Sequence, residues 1–149
     1  MEHGKVIVVG VDGSPASRSA LKWALEQGPS TVEAVMASAR VAAFVPATSM
    51  GVYPYAHKPE MEHQHPEHRL HEVVTEAVAD LAGTPEIAEI VVVGDPGAAL
   101  VQASRRADLL VIGAKGHNPV VDVFPGGVAA HCVRHAACPV VVIPPAMVG

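Results

Sequence analysis

The stretch IAEIVVVGDPGAALVQASRRADLLVIGA (87–114) contains one complete strand–helix–strand unit, and it decides the fold class. Its two ends are continuous apolar runs rich in β-branched residues, a pattern typical of strands covered on both faces of a sheet. Between them, Asp95 and Pro96 form a helix N-cap and a first-turn proline, and apolar residues then recur at helical spacing. Strands connected through a helix lie parallel, so this stretch predicts an α/β fold.

The same signals recur on both sides of this unit. Further strands are predicted at 5–12, 32–39 and 139–145, the second of them the weakest because it is rich in alanine. Further helices are predicted after Ser14-Pro15, along the apolar stripe 70–81, and after Gly126-Gly127. Because strands and helices alternate, we predict a doubly wound sheet of five parallel strands with helices on both faces. Ligands of such sheets bind beyond the carboxyl ends of the strands, where the strand order reverses.

Length and composition limit the classes of protein to which this chain can belong. The chain has 149 residues, 50% of them hydrophobic and 17% charged, which predicts one domain over 1–149 and excludes disorder as a global description. A net charge of −5 without a long basic run argues against nucleic acid as a partner. No apolar run approaches the roughly 20 residues that span a bilayer, and the first residues do not resemble a signal peptide, so we expect no membrane association and a cytoplasmic location.

Two features stand apart from the alternating elements. The stretch 41–65 is proline-containing and aperiodic, and it exceeds the length of about 12 to 15 residues at which structureless loops become uncommon. We interpret it either as a flap over the ligand crevice or as a partly disordered loop. Cys132 and Cys138 are six residues apart, a spacing that matches no common zinc or redox motif, so we predict reduced packing residues.

A glycine pattern follows the strand at 108–114. Gly113 and Gly116 are followed, after nine residues, by Gly126 and Gly127 at the start of a predicted helix. Glycines let the backbone approach a ligand closely, and free N–H groups at a helix start favour a phosphate. These glycines predict a phosphate site, although glycines also simply mark a strand exit and a helix entry.

With this pattern, the segments VIVVGVDGSPASRSALKWAL (6–25), VVVGDPGAALVQASRRADLLVIGAKGH (91–117) and VRHAACPVVVIP (133–144) make the chain resemble the universal stress protein family. The resemblance covers nearly the whole chain except 41–65. It implies a Rossmann-like, adenine nucleotide alpha hydrolase-like sheet of strand order 3-2-1-4-5 with four helices. It also implies a homodimer that pairs through the last strand, 139–143.

Many members of that family bind ATP through a G-x2-G-x9-G-(S/T) pattern. The resemblance therefore implies ATP, with or without Mg²⁺, as the ligand. It also implies that Asp12 contacts the adenosine part and that Met36 and Ala37 lie along the adenine. Asp12 is equally suited to capping the turn that follows it, and both roles are compatible. Lys115 is interpreted either as a phosphate contact or as a solvated lysine. The nucleotide-binding residues so predicted are Gly10, Asp12, Ala37, Ile112, Gly113, Lys115, Gly116, Gly126, Gly127 and Val128.

Gly127 stands where the family has serine or threonine, which removes one phosphate donor. We predict a regulatory stress-response homodimer that binds ATP or a related adenine nucleotide and acts on an unknown protein partner. The alternative is a stress protein that has lost nucleotide binding and acts through protein interaction alone. No residue near the phosphate loop offers a convincing catalytic base, so we expect no enzyme beyond a weak ATPase.

His65, His68 and His71 form a second candidate site. At helical spacing, His68 and His71 share a face and could hold Zn²⁺ or Ni²⁺ with help from His65. The other interpretation is a polar helix start on the surface, which we favour because compact histidine tracts indicate metal only weakly.

Overall fold

Strands and helices alternate along the chain as the sequence predicts. The computed structural model describes residues 4–38, 65–114 and 127–144. The long loop predicted at 41–65 lies outside these residues except for His65, so its two interpretations stay predictions. The elements are β1 (Val6–Gly10), α1 (Pro15–Glu26), β2 (Thr31–Ser38), α2 (Pro66–Val78), β3 (Glu86–Val93), α3 (Pro96–Ser104), β4 (Leu109–Gly113), α4 (Val128–His135) and β5 (Val140–Ile143).

The five strands form one sheet in the order β3-β2-β1-β4-β5, which confirms the order implied by the family resemblance. All four pairings between neighbouring strands are parallel. Parallel strands require a crossover, and each helix supplies one or part of one. The chain builds outward from β1 to β3 on one side and then returns to place β4 and β5 on the other. The order therefore reverses between β1 and β4.

Two helix starts are capped by side chains at the residues that the sequence predicts. The Ser14 hydroxyl accepts a hydrogen bond from the Ser17 N–H at 3.2 Å, and Pro15 begins α1. The Asp95 carboxylate accepts one from the Ala98 N–H at 2.8 Å, and Pro96 begins α3. Both bonds satisfy N–H groups that a helix start leaves without a partner, and they determine where these helices begin.

The sheet is covered on both faces, and alternate residues of β1 show it. Ile7 and Val9 face a core built with α1 and α2, whereas Val8 faces a second core built with α3 and α4. All three side chains are fully buried. A strand buried on both faces must be apolar at every position, which explains the continuous pattern from which it was predicted.

The edge strands depart from that pattern. β3 was predicted to be covered on both faces, but most of it is half-buried and Val93 is 61% exposed. β5 is half-buried except at Ile143. Both lie at the sheet margins, where a strand has a neighbour on one side only. Within 4–38, 65–114 and 127–144, no helix combines the length and the apolar character needed to cross a membrane.

Candidate functional site

The candidate site lies where β1 and β4 end side by side. The two strands are paired with Val9 opposite Val111, so Gly10 and Ile112 stand at the same level one residue further on. Ile112 is buried, and Gly113 closes β4. The strand order reverses here, and open α/β sheets bind their ligands beyond the strand ends at such a point. The topology thus brings the residue after β1 and the residue after β4 to one edge.

Asp12 is held in a tight turn directly after β1. Its Oδ1 accepts a hydrogen bond from the Ser14 N–H at 2.9 Å, and its own N–H donates to Ser17 Oγ at 3.1 Å. Gly13, between Asp12 and Ser14, has a φ of +85°, a conformation that glycine adopts without steric cost. Asp12 is nevertheless exposed. The turn-capping role is thus present, and it uses only one of the two carboxylate oxygens.

Gly113 is required by packing. A Cβ at this position would stand 2.7 Å from Ala16 Cβ and 2.8 Å from the Ala16 carbonyl carbon. The end of β4 therefore lies directly against the first turn of α1. Gly113 does not belong to the glycines with positive φ, so close approach rather than unusual backbone geometry explains it.

Gly10 also lies in a crowded place, but against a flexible neighbour. A Cβ there would stand 2.8 Å from Leu100 Cδ1 and 3.3 Å from Ile112 Cγ2. Both neighbours are side chains of the core beneath α3 and α4. Glycine at this position lets β1 pass close under Leu100 of α3.

The start of α4 differs from those of α1 and α3. Gly127 occupies the N-cap position, with a φ of +158° and no side chain to offer a cap. Its carbonyl accepts the first helical bond from the His131 N–H at 3.1 Å. Val128 begins the helix and is 37% exposed. A helix start without a side-chain cap has N–H groups available to an anion.

The remaining predicted nucleotide residues divide into two groups. Ala37 lies near the end of β2, opposite Val92 of β3, and is half-buried, whereas the preceding Met36 is buried. It stands at the same edge of the sheet as Asp12. Lys115, Gly116 and Gly126 lie outside the described residues, so their roles stay predictions.

Two of the three histidines of the second candidate site meet, and the third does not join them. The rings of His65 and His68 meet edge to face with centroids 5.9 Å apart. His71 instead faces Glu89 of β3, with Nδ1 3.1 Å from both carboxylate oxygens. Among the residues that the structure describes, no group of three suitable side chains could hold a metal ion.

The two cysteines are free thiols, in agreement with the sequence prediction. Cys132 is fully buried in the core beneath α3 and α4. Burial, with a smaller contribution from the charge of Asp95, raises the pKa of this thiol to about 11. Burial and the charge of Asp108 also raise the pKa of Cys138. Thiolates are the reactive form, so neither cysteine is suited to nucleophilic chemistry at neutral pH.

Sequence reasoning missed two residues near Asp12. Ser17 accepts the Asp12 N–H, and its hydroxyl donates to the Ser14 carbonyl oxygen at 3.2 Å. Arg69 Nη2, from α2, comes within 3.9 Å of the position that a Cβ on Gly13 would occupy. The only sequence signal for Arg69 is its charge, because a cation in the first turn of a helix opposes the helix dipole.

This chain is similar to known proteins over most of its length. The profile of the universal stress protein family matches residues 4–144. A universal stress protein of Mycobacterium tuberculosis is 30% identical over 150 residues, which cover 93% of this chain and 47% of that protein. A second one from the same species is 32% identical over 145 residues, which cover 92% and 46%. This chain thus spans about half the length of these relatives.

Solved structures show the same architecture. A universal stress protein in complex with cAMP is 25% identical, with a TM-score of 0.65 and coverage of 97% of this chain and 99% of that one. A family protein from Arabidopsis thaliana with AMP bound has a TM-score of 0.60 at 22% identity, covering 94% and 91%. The latter likeness supports the fold alone.

Proposed function

This chain belongs to the universal stress protein family, and from that premise we propose that it binds ATP or a related adenine nucleotide as a regulatory protein of the stress response. One observation carries the proposal: Asp12 after β1 and Gly113 at the end of β4 stand at the reversal of the strand order. Open α/β sheets bind ligands at such a point. The similar protein in complex with cAMP supports an adenine nucleotide as the ligand class.

The ribose, the adenine and the phosphates of the nucleotide are assigned to three different parts of the carboxyl edge of the sheet. The Oδ1 atom of Asp12 already accepts the Ser14 N–H, so Oδ2 is assigned to the ribose hydroxyls. The ends of β2 and β4, with Ala37 and Ile112, flank the adenine side. The N–H groups of Gly127 and Val128, at the positive end of the α4 dipole, receive phosphate oxygens. Mg²⁺ bound to the phosphates would add to the neutralisation of their charge.

Assembly and location belong to the same proposal. β5 is an edge strand with half-buried valines, and such an edge needs cover. Pairing of β5 with its copy in a second chain supplies that cover and makes a homodimer. We place the protein in the cytoplasm and assign it no catalytic role, and we propose that nucleotide binding changes its contacts with a protein partner.

A second function is favoured by the start of α4. Gly127 has no hydroxyl with which to hold a phosphate, unlike the serine or threonine of the family pattern. A neutral hydrogen bond is worth about 0.5 to 1.5 kcal/mol, so its loss weakens binding several-fold. If the loss of this hydroxyl abolishes nucleotide binding, the protein acts through protein contacts alone.

The test is calorimetric titration of the purified protein with ATP in the presence of Mg²⁺, after mass spectrometry for nucleotide that co-purifies. We expect ATP binding in the micromolar range or a co-purified adenine nucleotide. An absence of binding at millimolar ATP would contradict the proposed function and favour the protein-contact alternative.

Substitution of Asp12 locates the binding within the structure. We expect Asp12→Ala to weaken ATP binding by about 1 to 3 kcal/mol, because it removes a charged acceptor from the ribose hydroxyls. Asp80→Ala, with the same charge change on an exposed residue in the turn after α2, is the matched control. Equal affinity of the two variants would exclude Asp12 from the site.

A further inference from the structure

Arg69 lies beside the turn that holds Asp12. It belongs to the first turn of α2, where its N–H donates to the His65 carbonyl at 3.1 Å. Its side chain is half-buried, and Nη2 lies 3.9 Å from the position that a Cβ on Gly13 would occupy. Residues that are 56 positions apart in sequence thus place a guanidinium group beside Gly13, the residue that follows the exposed Asp12.

The charge of Arg69 is not explained by the stability of its helix. A cation in the first turn is opposed by the helix dipole, which favours anions at that end. Arg18 offers a contrast on the same turn. Its Nε donates to the Gly13 carbonyl at 3.4 Å, and its guanidinium pairs with Glu76 of α2. None of the four ion pairs within 4–38, 65–114 and 127–144 includes Arg69.

The two guanidinium groups therefore have different uses. Arg18 connects α1 to α2 through Glu76, which is a structural role. Arg69 lies in the first turn of α2, which follows β2 at the carboxyl edge of the sheet, and it approaches Gly13, the residue after the one assigned to the ribose. A guanidinium group presents planar donors that match phosphate oxygens, and it stays charged at all physiological pH values.

We propose that Arg69 binds an anionic phosphate group of the nucleotide and makes the site select phosphorylated adenosines over adenosine itself. The inference rests on the proposed function, because it assigns a selectivity to that same site. Asp12, which precedes Gly13, and Arg69, which approaches it, then have complementary roles. The carboxylate accepts hydroxyl groups, and the guanidinium donates to phosphate oxygens.

The test compares ATP, AMP and adenosine as ligands of the full chain by calorimetry. The variants are Arg69→Gln, Arg69→Lys and the control Arg105→Gln. Arg105 is exposed at the C-cap of α3, away from the site, and its replacement changes the net charge equally. Hydrogen bonds to charged groups are strong enough that we expect Arg69→Gln to weaken ATP binding about tenfold or more. Adenosine affinity should stay within about twofold, since adenosine lacks the anion that the guanidinium binds.

The three ligands separate this role from a structural one. Arg69→Lys keeps the charge without the planar donors, so we expect an intermediate ATP affinity. An ATP affinity of Arg69→Gln equal to that of Arg105→Gln would overturn the inference. A parallel loss of affinity for ATP and adenosine would also overturn it, because such a loss indicates damage to the turn that holds Asp12. If the unsubstituted protein binds adenosine but not ATP or AMP, the selectivity is wrong while the site stands. If it binds none of the three, the proposed function fails and this inference fails with it.

Discussion

The starts of α1 and α4 differ in what is offered to the N–H groups that have no partner within the helix. At α1, the N–H groups of Asp12, Ser14 and Ser17 all donate to side-chain oxygens of the same six-residue segment. At α4, the N-cap is Gly127, which has no side chain to accept anything. Both helices begin at the carboxyl edge of the sheet, because α1 is the next element after β1 and α4 is the next element after β4.

The difference shows how one edge can provide both rigidity and binding. A helix start satisfied by its own side chains is a structural unit, and it holds Asp12 in position. A helix start without such a cap leaves N–H donors for a ligand. The proposed site therefore combines a rigid side that orients a carboxylate with an open side that receives phosphate.

The largest loss of stability is expected for Gly113→Ala, at the point where the end of β4 packs against the start of α1. The added Cβ would meet the Ala16 backbone at 2.8 Å, and the backbone of a helix cannot move aside cheaply. We expect the free energy of unfolding to fall by about 1 to 3 kcal/mol, as in other overpacked cores. Chemical denaturation measures this loss. Gly10→Ala is the matched comparison, since its Cβ meets the movable end of Leu100 and should cost less. Equal losses of stability would contradict the close packing of Gly113 against Ala16.

A smaller effect is expected at the cap of α1. Ser14→Ala removes the acceptor of the Ser17 N–H and should lower the free energy of unfolding by about 1 kcal/mol. Ser14→Gly, which makes the N-cap of α1 like that of α4, should cost only a few tenths of a kcal/mol. Thermal unfolding of both variants checks the order. A glycine variant less stable than the alanine variant would contradict this account of the cap.

The smallest net effect is expected at Gly127. A serine there adds a cap worth about 0.5 to 2 kcal/mol, but the φ of +158°, which residues with a side chain rarely adopt, costs about 1 to 3 kcal/mol. We expect Gly127→Ser to change the free energy of unfolding by less than about 1 kcal/mol in sum. Gly127→Ala, with the strain but not the hydroxyl, should unfold more readily than the serine variant.

The same Gly127 variants also test ATP binding at the start of α4. From the sequence alone, the missing hydroxyl predicts that serine tightens ATP binding. The strained φ in the structure limits this gain, so we expect less than about a threefold change in ATP affinity. Calorimetric titration of the serine and alanine variants measures it. A tenfold gain for serine would show that the α4 start relaxes freely and that the hydroxyl was the sole deficiency.

Local patterns determined most of the architecture. The continuous apolar runs, Ser14-Pro15 and Asp95-Pro96 each depend on neighbours within a few residues, so the strands and the starts of α1 and α3 could be predicted from sequence. Alternation then implied a parallel sheet, because a strand–helix–strand unit permits little else. The strand order came from the family resemblance, and the structure confirms it.

Tertiary structure decided what depends on distant parts of the chain. Only the folded chain shows that Gly113 lies against Ala16, that β3 is partly exposed, and that Arg69 reaches Gly13. It also directs His71 to Glu89 instead of to its histidine neighbours. The exposure of β3 depends on its place at the sheet margin, and each of the contacts joins elements that are separated in sequence. Periodicity and capping report which element a residue belongs to, but contacts between elements arise only when the elements pack.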